Sequence, residues 1–429
     1  MIRIGIVGCG RIMAAHLRGY RLLREAGVDD FRITAVCSLS EDEARMYVRR
    51  GEGPPQRPAV SQFAGDPLAV ADEYVSDFQD DVDVQVYTDF RRLVAEAPIT
   101  AVNDFTNHAL HHQVAEAALG ADKDLLTEKP MAVSVRAARR MCELAESHQR
   151  VLGVFQSGRY MTRTRHLQWL FDSGRMGSLQ IMLIGSVGAR WAPDFVVADT
   201  PWRHRRVEGG GISLDVGVHR FDLIRALAGE IRDVQARTAI VEPVRWGHDE
   251  QGRLTQRVDC DAEDTVYASF ATAGGATGEL TASWAGRGGG TMPGTGDVYY
   301  ASGGRVCGDE VVSEKRGQDS FLADPEKSPD PFSFKLAELY ERGCPADRKA
   351  RHFPLGLSDP FALAQYEWLE AVRERRPPET NGRDALASLA CAFTVLEAAQ
   401  AGRRVEVDEV ASGSLEAYQR EINEHYGIA

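Results

Sequence analysis

A short apolar run leads directly into two glycines at the start of the chain, and this feature constrains the fold more than any other. The run IRIGIV is followed by Gly8 and Gly10, and the residues from Arg11 to Glu25 then show helical periodicity. Two glycines at this spacing allow a tight turn and the close approach of a pyrophosphate to the amides of the next helix. An ordinary strand-to-helix turn has the same pattern, so the rest of the domain decides between the two interpretations.

Strand and helix patterns alternate from the first residue to about residue 150. The apolar runs RITAVCS, ITAVNDFT and DLLTEKP are separated by stretches with helical periodicity. This order is typical of βαβ units and predicts an α/β domain with a parallel sheet over residues 1–150. Residues 51–85 are rich in proline, glycine and acidic side chains, and they are predicted to form a surface insert with one short helix.

A different pattern begins at residue 151. In DTVYASF, Val266, Ala268 and Phe270 alternate with Thr, Tyr and Ser, and ELTASW repeats the alternation. Such runs predict an antiparallel sheet with one buried face. Helical periodicity returns over residues 360–401, whereas residues 286–351 match no single element. We therefore predict a second domain over residues 151–429 that ends in helices.

Charge and cysteine usage limit the partners and the compartment. The 429 residues carry a formal net charge of −13 and no basic stripe, which argues against nucleic acid and anionic membranes as partners. The seven cysteines are scattered and form no CxxC pair, which fits neither a disulfide framework nor a zinc site. With no signal-peptide pattern and no long apolar run, the sequence predicts a cytoplasmic protein that binds small molecules.

Two later motifs carry side chains that are suited to hydride transfer. Lys129 lies in TEKP after a predicted strand, and Asp215 and His219 lie in GGGISLDVGVH, where a helix would place them one turn apart on one face. Oxidation of an alcohol needs a base for the hydroxyl proton and a donor that polarises the oxygen. Each residue also has a structural interpretation: a surface lysine, a core histidine, and an aspartate paired with Arg203 or Arg220.

The motifs GIVGCGRI, FTNHALHHQVAEAAL, LTEKPMA and GGGISLDVGVHRFDLIRALAG occur in an order that resembles the glucose-fructose oxidoreductase, inositol dehydrogenase and MocA family. The similarity extends to the strands that end in ELTASW. It implies an N-terminal Rossmann NAD(P)-binding domain and a C-terminal α+β domain with an open-faced, mainly antiparallel sheet. It also implies a sugar or polyol dehydrogenase or reductase that assembles as a homodimer or homotetramer.

The resemblance also implies roles for individual residues. His219 would be the main acid or base, Lys129 would contact the reacting oxygen and the nicotinamide ribose, and Asp215 would orient both. The residues at cofactor-binding positions are Gly8, Gly10, Arg11, Ile12, Ser38, Thr106, Asn107, His111, Glu128 and Lys129. The residues expected around the substrate are Arg159, Tyr160, Trp202 and Arg203. Two residues depart from the family pattern: Met13 replaces a small residue, and Asn107 stands where proline is common.

The choice between NAD and NADP stays open. Rossmann domains that bind NAD usually carry an acid at the end of the second strand, where this chain has Ser38. Glu41 or Asp42 could take its place, which would favour NAD. Alternatively, the serines with Arg11 or Arg45 could accept a 2′-phosphate, and this interpretation slightly favours NADP.

Three alternatives remain at this point. His108 and His112 are spaced for one helical turn, but no third metal ligand is evident, so no metal is expected. A glycosidase of the same fold would oxidise a sugar transiently with bound NAD and release an aglycone. The third alternative is a regulator that binds the dinucleotide without catalysis. The presence of Lys129, Asp215 and His219 argues against it.

Overall fold

The amino-terminal part of the chain forms a six-stranded parallel sheet. The computed structural model describes residues 1–63, 65–188, 191, 194–249, 251–286, 297–313 and 332–428. The strands of this sheet are β1 (Ile2–Val7), β2 (Phe31–Cys37), β3 (Gln85–Tyr87), β4 (Ala101–Asp104), β5 (Asp124–Glu128) and β6 (Leu152–Phe155). Their order is β3-β2-β1-β4-β5-β6, the doubly wound Rossmann order. The predicted parallel α/β domain is therefore confirmed, and the glycine turn follows the strand at which the order reverses.

Five helices connect these strands. They are α1 (Met13–Glu25), α2 (Glu41–Arg45), α3 (Phe90–Glu96), α4 (His111–Gly120) and α5 (Val135–Ser147). Met13, which replaces the small residue of the family pattern, is fully buried in the core under the first turn of α1. In the described part of residues 51–85, regular structure before β3 is limited to two 3₁₀ turns, Pro67–Ala69 and Val75–Asp77. An insert with little regular structure agrees with the sequence prediction.

The second domain is built on a nine-stranded sheet. Its strands are β7 (Leu179–Val187), β8 (Ile231–Ala239), β11 (Thr265–Thr272), β12 (Thr277–Ser283), β13 (Val298–Ala301), β14 (Gly304–Cys307), β15 (Glu310–Ser313), β16 (Phe332–Lys335) and β17 (Val405–Glu406), and a separate hairpin contains β9 (Val244–His248) and β10 (Leu254–Asp259). The order is β16-β15-β14-β13-β7-β12-β11-β8-β17, with β7 and β12 as the parallel pair. Val266, Ala268 and Phe270 are buried and Tyr267 is exposed, as the alternation predicted.

Eight further helices follow β6 in the part of the chain that the structure describes. They are α6 (Thr162–Asp172), α7 (Val218–Ala228), α8 (Leu336–Gly343), α9 (Ala346–His352), α10 (Pro360–Glu374), α11 (Gly382–Ala401), α12 (Val407–Ala411) and α13 (Arg420–Tyr426). The longest, α11, packs on β8 and on α7. Residues 286–351, which matched no single pattern, contribute strands and two helices where they are described, and the rest of that segment lies outside the described residues. Across the described ranges, no helix combines the length and apolar character needed to cross a membrane.

The two domains are interlocked by the carboxyl-terminal helices. The Rossmann sheet ends with β6, so the boundary predicted at residue 150 is one strand too early. Helix α10 then returns to α1, where Gln365 donates from Nε2 to the carbonyl oxygen of His16 at 3.0 Å. A Cβ at Gly153 would lie 2.7 Å from the Trp368 ring, so α10 also packs closely against β6. Residues 360–374 therefore belong to the first domain by their contacts.

Candidate active site

The glycine turn after β1 fits a dinucleotide. Gly8 has φ +99°, and a Cβ there would lie 2.6 Å from the carbonyl carbon and oxygen of Phe105. Its amide donates to the carbonyl oxygen of Cys37 at 2.8 Å, which joins the turn to β2. A Cβ at Gly10, in contrast, would meet no described atom within 4 Å, so the backbone there borders open space. The turn is thus packed closely against Phe105 at Gly8 and is open at Gly10, as the approach of a pyrophosphate requires.

The insert is hydrogen-bonded to the residues on either side of Gly10. Arg57 donates from Nη1 to the carbonyl oxygen of Cys9 at 3.0 Å, and Arg11 donates to the carbonyl oxygen of Pro58 at 3.1 Å. Arg11 also forms an ion pair with Asp199 of the second domain. Ile12, the last of the predicted residues in the turn, immediately precedes α1. The insert and the second domain therefore both reach the predicted cofactor turn.

Glu43 supplies a carboxylate beside Ser38 at the end of β2, although Ser38 itself is not an acid. Ser38 donates from Oγ to Oε2 of Glu43 at 2.9 Å, and Arg57 pairs with the other oxygen of Glu43. Glu41 and Asp42, the acids named from the sequence, are exposed. Arg45 pairs with Glu41, whereas Arg57 is the guanidinium next to Glu43. The acids named from the sequence and the acid that contacts Ser38 lie in the same helix, α2. The contact is made by Glu43, the third residue of α2, because the helix turn directs that side chain toward Ser38.

The loops after β4 and β5 are tied together beside the turn. The two ring nitrogens of His111 lie 2.8 Å from the carbonyl oxygen of Pro130 and 3.2 Å from that of Thr106. Thr106 donates from Oγ1 to Oδ1 of Asp104 at 2.7 Å. His111 therefore holds both loops in place, and it does so from the first turn of α4.

Asn107 and Glu128 complete the predicted cofactor set. The Oδ1 atom of Asn107 is buried and has no hydrogen-bond partner among the described residues, so it is free to accept a bond from a ligand. Glu128 lies 2.8 Å from Nε2 of the buried His16 and accepts from the amide of Lys129 at 3.1 Å. Glu128 thus supports the backbone at Lys129.

Lys129 and Asp215 meet where the two domains face each other. Lys129 donates from Nζ to Oδ1 of Asp215 at 2.9 Å and to its carbonyl oxygen at 2.8 Å. The side chains retain 16% and 12% of their exposure, respectively. An ammonium has three donors, and the residues that the structure describes accept two of them, so one N–H of Lys129 remains for a ligand.

Arg203, Trp202 and His108 surround this pair. Arg203 donates from Nε to Oδ2 of Asp215 at 3.3 Å, and its guanidinium lies 4.3 Å from the centroid of the Trp202 ring. The Trp202 and His108 rings are 4.4 Å apart. His108 donates from Nδ1 to the carbonyl oxygen of Gly209 at 2.8 Å, which leaves its Nε2 4.0 Å from Asp215. The structure thus places Trp202 and Arg203 beside the Lys129–Asp215 pair. His108 is an additional neighbour that the sequence suggested only as a metal ligand.

The helix that carries Asp215 and His219 is not a single α-helix. A π-helical turn spans Ser213–Gly217 and contains Asp215, and α7 begins at Val218, directly before His219. The prediction of one continuous α-helix is therefore wrong at its first turn. Helical π turns occur often at functional sites because they redirect side chains locally.

Burial and neighbouring charges set the protonation states of the site. Burial raises the pKa of Asp215, but the positive charges of Arg203 and Lys129 outweigh this effect and hold the pKa well below its usual value. Burial and the charge of Lys129 lower the pKa of His219 well below 6.5, against the opposing charge of Asp215. The site thus holds a carboxylate and a neutral imidazole at neutral pH.

Two predicted substrate residues lie elsewhere. Arg159 forms a bidentate ion pair with Asp222 at 2.7 and 2.8 Å and a further bond with Asp384 at 2.9 Å. Tyr160 is 1% exposed, and the Arg165 guanidinium lies 4.8 Å from its ring centroid. Both side chains are buried within the protein, and the structure does not bring them together with Lys129 and Asp215.

The histidines of α4 do not form the metal pair that their spacing suggested. α4 begins at His111, so His108 lies in the turn before the helix and not one helical turn below His112. His112 contacts Tyr426, with the rings 5.2 Å apart. Across the described ranges, no group of three or more His, Cys, Asp or Glu side chains has the arrangement of a metal site.

The fold and the site define a class of protein: a two-domain dinucleotide-binding protein with a Lys–Asp pair and a neutral histidine between the domains. Two family models match the chain. One, described as an oxidoreductase family with an NAD-binding Rossmann fold, matches residues 2–156, and the other, the GFO/IDH/MocA C-terminal domain, matches residues 164–303. The chain belongs to the Gfo/Idh/MocA family of NAD-binding oxidoreductases.

Several proteins of known activity are similar to the chain. It is 28% identical over 205 residues to D-xylose dehydrogenase of Paenarthrobacter nicotinovorans, which covers 46% of this chain and 51% of that protein. It is 26% identical over 329 residues to 1,5-anhydro-D-fructose reductase of Ensifer adhaerens, which covers 75% and 84%. The chain thus spans about half the length of the xylose dehydrogenase and of several inositol 2-dehydrogenases that it also matches.

Solved structures show the same architecture. Levoglucosan dehydrogenase in complex with NADH and L-sorbose superposes with a TM-score of 0.69 at 18% identity, and the match covers 96% of this chain and 100% of that chain. At this identity the likeness shows the fold alone.

Proposed function

We propose that the chain is an NAD-dependent dehydrogenase or reductase that acts on a hydroxyl or carbonyl carbon of a sugar, polyol or sugar-derived substrate. The observation that carries the proposal is the Lys129–Asp215 pair beside a neutral His219, between the domain that carries the open glycine turn and the sheet domain. The named activities of the similar proteins support the substrate class, since they are sugar and inositol dehydrogenases and a sugar-derivative reductase.

The nicotinamide, when bound, accepts or donates the hydride. The protein moves the proton. In the oxidative direction, the neutral imidazole of His219 accepts the hydroxyl proton of the substrate as the carbonyl forms, and in the reductive direction it returns that proton. The free N–H of Lys129 donates to the same substrate oxygen and stabilises the negative charge that develops there.

The neighbours of Lys129 keep it in place for this role. Asp215 accepts two of its three N–H groups, through the carboxylate and the backbone carbonyl. Arg203 binds the other carboxylate oxygen of Asp215 and so limits rotation of the carboxylate. The half-buried Trp202 ring beside Arg203 provides an apolar wall for a sugar-like substrate.

The residues at the end of β2 favour NAD over NADP in this proposal. The hydroxyl of Ser38 and the carboxylate of Glu43 are suited to the two hydroxyl groups of an adenosine ribose. A 2′-phosphate at this position would lie next to the negative charge of Glu43. Arg57, the guanidinium nearest to it, is already paired with that carboxylate. This proposal replaces the slight preference for NADP that the missing acid at Ser38 suggested.

The test is a turnover screen at the absorbance band of reduced nicotinamide. Sugars, inositols and sugar nucleotides are offered with NAD and with NADP, to the wild-type protein and to His219→Ala. We expect cofactor reduction with at least one polyol or sugar and its loss in the variant. Release of an aglycone without net cofactor reduction would instead identify the redox-assisted glycosidase. Cofactor binding without any turnover, unchanged by the substitution, would identify a regulator.

A further inference from the structure

A buried carboxyl group lies beneath the first residues of the π-helical turn. Glu263 precedes β11 and is 6% exposed. Its carbonyl oxygen accepts from the amide of Ile212 at 3.0 Å, and its Oε1 accepts from the amide of Ser213, also at 3.0 Å. The first amides of a helix have no acceptor within the helix, so an outside acceptor determines where the helix can begin. A single residue, Glu263, supplies two such acceptors here.

The chain above Glu263 is shaped to fit its carboxyl group. Gly211 has φ +103°, and a Cβ at that position would lie 2.4 Å from Oε1 and 2.5 Å from Oε2 of Glu263. Only glycine can therefore bring the backbone this close to the carboxyl group. The carbonyl oxygen of Gly211 accepts from the amide of Asp215 at 3.1 Å. Glu263 is thus linked to Asp215 through the backbone of the turn.

We propose that Glu263 is a positioning residue that fixes the start of the π-helical turn and thereby presents Asp215 to Lys129. The contacts run from Glu263 to the amides of Ile212 and Ser213, then through the turn to Asp215, and from Asp215 to the Lys129 ammonium. For its effect on turnover the inference rests on the proposed function, but the positioning of Lys129 is measurable without any substrate.

The surroundings of Glu263 leave no substitute for its carboxyl group. Its Oε2 is buried and has no hydrogen-bond partner among the described residues. Tyr418 closes the site from the carboxyl-terminal segment, with its pKa raised by burial and by the charge of Glu263. Arg206 stacks over the Tyr418 ring at 4.0 Å. The neighbouring Asp264 carboxylate accepts from the amides that precede β9 and from Arg245, so it is engaged elsewhere.

The experiment measures how well Asp215 protects the Lys129 amine. The chain has six lysines, so competitive acetylation with acetic anhydride, quantified by peptide mass spectrometry, reports Lys129 against the others in one sample. Glu263→Gln keeps an oxygen acceptor for Ser213, and we expect Lys129 to be labelled at the wild-type rate. In Glu263→Ala the acceptor is lost, and labelling should rise about 2- to 10-fold, the range that corresponds to one net hydrogen bond.

Two further variants keep the test decisive. Glu263→Asp retains the carboxyl group but withdraws it by one methylene, so it should raise labelling as Glu263→Ala does. If the alanine variant does not fold, the aspartate variant replaces it in the comparison. Glu367→Ala is the matched control: Glu367 accepts from the amide of Glu379 at 3.1 Å and pairs with Arg376, away from the π-helical turn. It should leave the labelling of Lys129 unchanged.

Turnover gives the second readout. In Glu263→Ala we expect a lower kcat with an unchanged affinity for NADH, and recovery of kcat in Glu263→Gln. Unchanged Lys129 labelling in both the Ala and Asp variants, or equal increases in the Gln variant, would overturn the role of Glu263. A chain that shows these labelling changes but reduces no cofactor with any substrate would contradict the proposed function alone.

Discussion

Burial favours the neutral form of both Asp215 and His219, and the neighbouring charges decide which of the two stays neutral. Asp215 stays charged because Arg203 and Lys129 lie next to it, although burial alone would neutralise it. His219 stays neutral because burial and the Lys129 charge both oppose a second proton. A carboxylate that anchors a cation beside a neutral base is an arrangement suited to proton transfer near neutral pH.

The pH dependence of turnover should reflect the lowered pKa of His219. A protonated imidazole cannot accept the hydroxyl proton, so kcat/KM for oxidation should fall with decreasing pH only well below pH 6.5, the ordinary pKa of histidine. His219→Ala should lower kcat by about 10²- to 10⁴-fold, the usual range for loss of a general base. The measurement is the pH profile of wild type and variant. His425→Ala, an exposed histidine near the carboxyl end, is the control, and an equal effect of both substitutions would contradict the assignment.

The selectivity for NADH over NADPH should depend on a single residue, Glu43. Glu43→Gln removes the negative charge beside Ser38 and releases Arg57 for a phosphate. We expect the ratio of the dissociation constants of NADPH and NADH to fall by roughly tenfold or more, since a charge-assisted hydrogen bond contributes about 1.5–3 kcal/mol. Fluorescence titration with both reduced cofactors measures the ratio. Glu41→Gln, an exposed acid in the same helix, is the control, and a ratio that changes only in this control would refute the role of Glu43.

At the scale of elements, the helix around Asp215 shows what a sequence pattern can and cannot predict. Leu214, Val218 and Phe221 of this helical segment are all buried in the core. The helix ends at Gly229, which has φ +80°. The π-helical turn was not predictable from the local pattern, because the acceptor that begins it belongs to Glu263, about fifty residues further along the chain.

The buried carboxyl group of Glu263, beneath the π-helical turn, should make the stability of the protein depend on pH. Burial raises the pKa of Glu263 from 4.5 to about 7, so the folded protein holds a proton that the unfolded chain releases. The stabilising contribution is complete below pH 4.5 and is lost as the pH rises through about 7. The side chain of Glu263→Gln cannot ionise, so the variant does not lose this contribution as the pH rises. The free energy of unfolding of the variant minus that of wild type should therefore increase from pH 5 to pH 8, by up to about 3 kcal/mol. Denaturant unfolding at both pH values measures this, and a constant difference would contradict the assignment.

At the scale of the whole molecule, long-range contacts account for the failed predictions. The alternating strand and helix patterns and the family motifs predicted both sheets, and the structure brings Lys129, Asp215 and Trp202 together between them. Arg159 lies apart from Lys129 because its partners come from distant helices: Asp222 of α7 and Asp384 of α11 neutralise its charge. The return of α10 to the first domain was missed for the same reason.

The open face of the nine-stranded sheet leads to a prediction about assembly. Ile181, Leu183, Tyr267 and Tyr300 on β7, β11 and β13 are 38–54% exposed on the face opposite to the helices. A sheet face with such side chains is a typical interface, and we propose that it pairs with a second copy of the chain. Light scattering should show a dimer or tetramer for wild type and a smaller assembly for the double variant Ile181→Glu/Tyr267→Glu. Leu355→Glu, at an exposed position in the 3₁₀ turn Pro354–Gly356 outside the sheet, should leave the assembly unchanged. A monomeric wild-type protein would contradict the proposal.

The most direct test of the account is the transfer of deuterium from carbon to cofactor. A substrate found in the screen is prepared with deuterium on the carbon that carries the reactive hydroxyl, and the cofactor is analysed by mass spectrometry after turnover. We expect one deuterium in the reduced nicotinamide with the wild-type protein and almost none with His219→Ala or Lys129→Ala at equal times. Turnover of the substrate with no deuterium in the cofactor, or equal transfer by the variants, would contradict hydride transfer at this site.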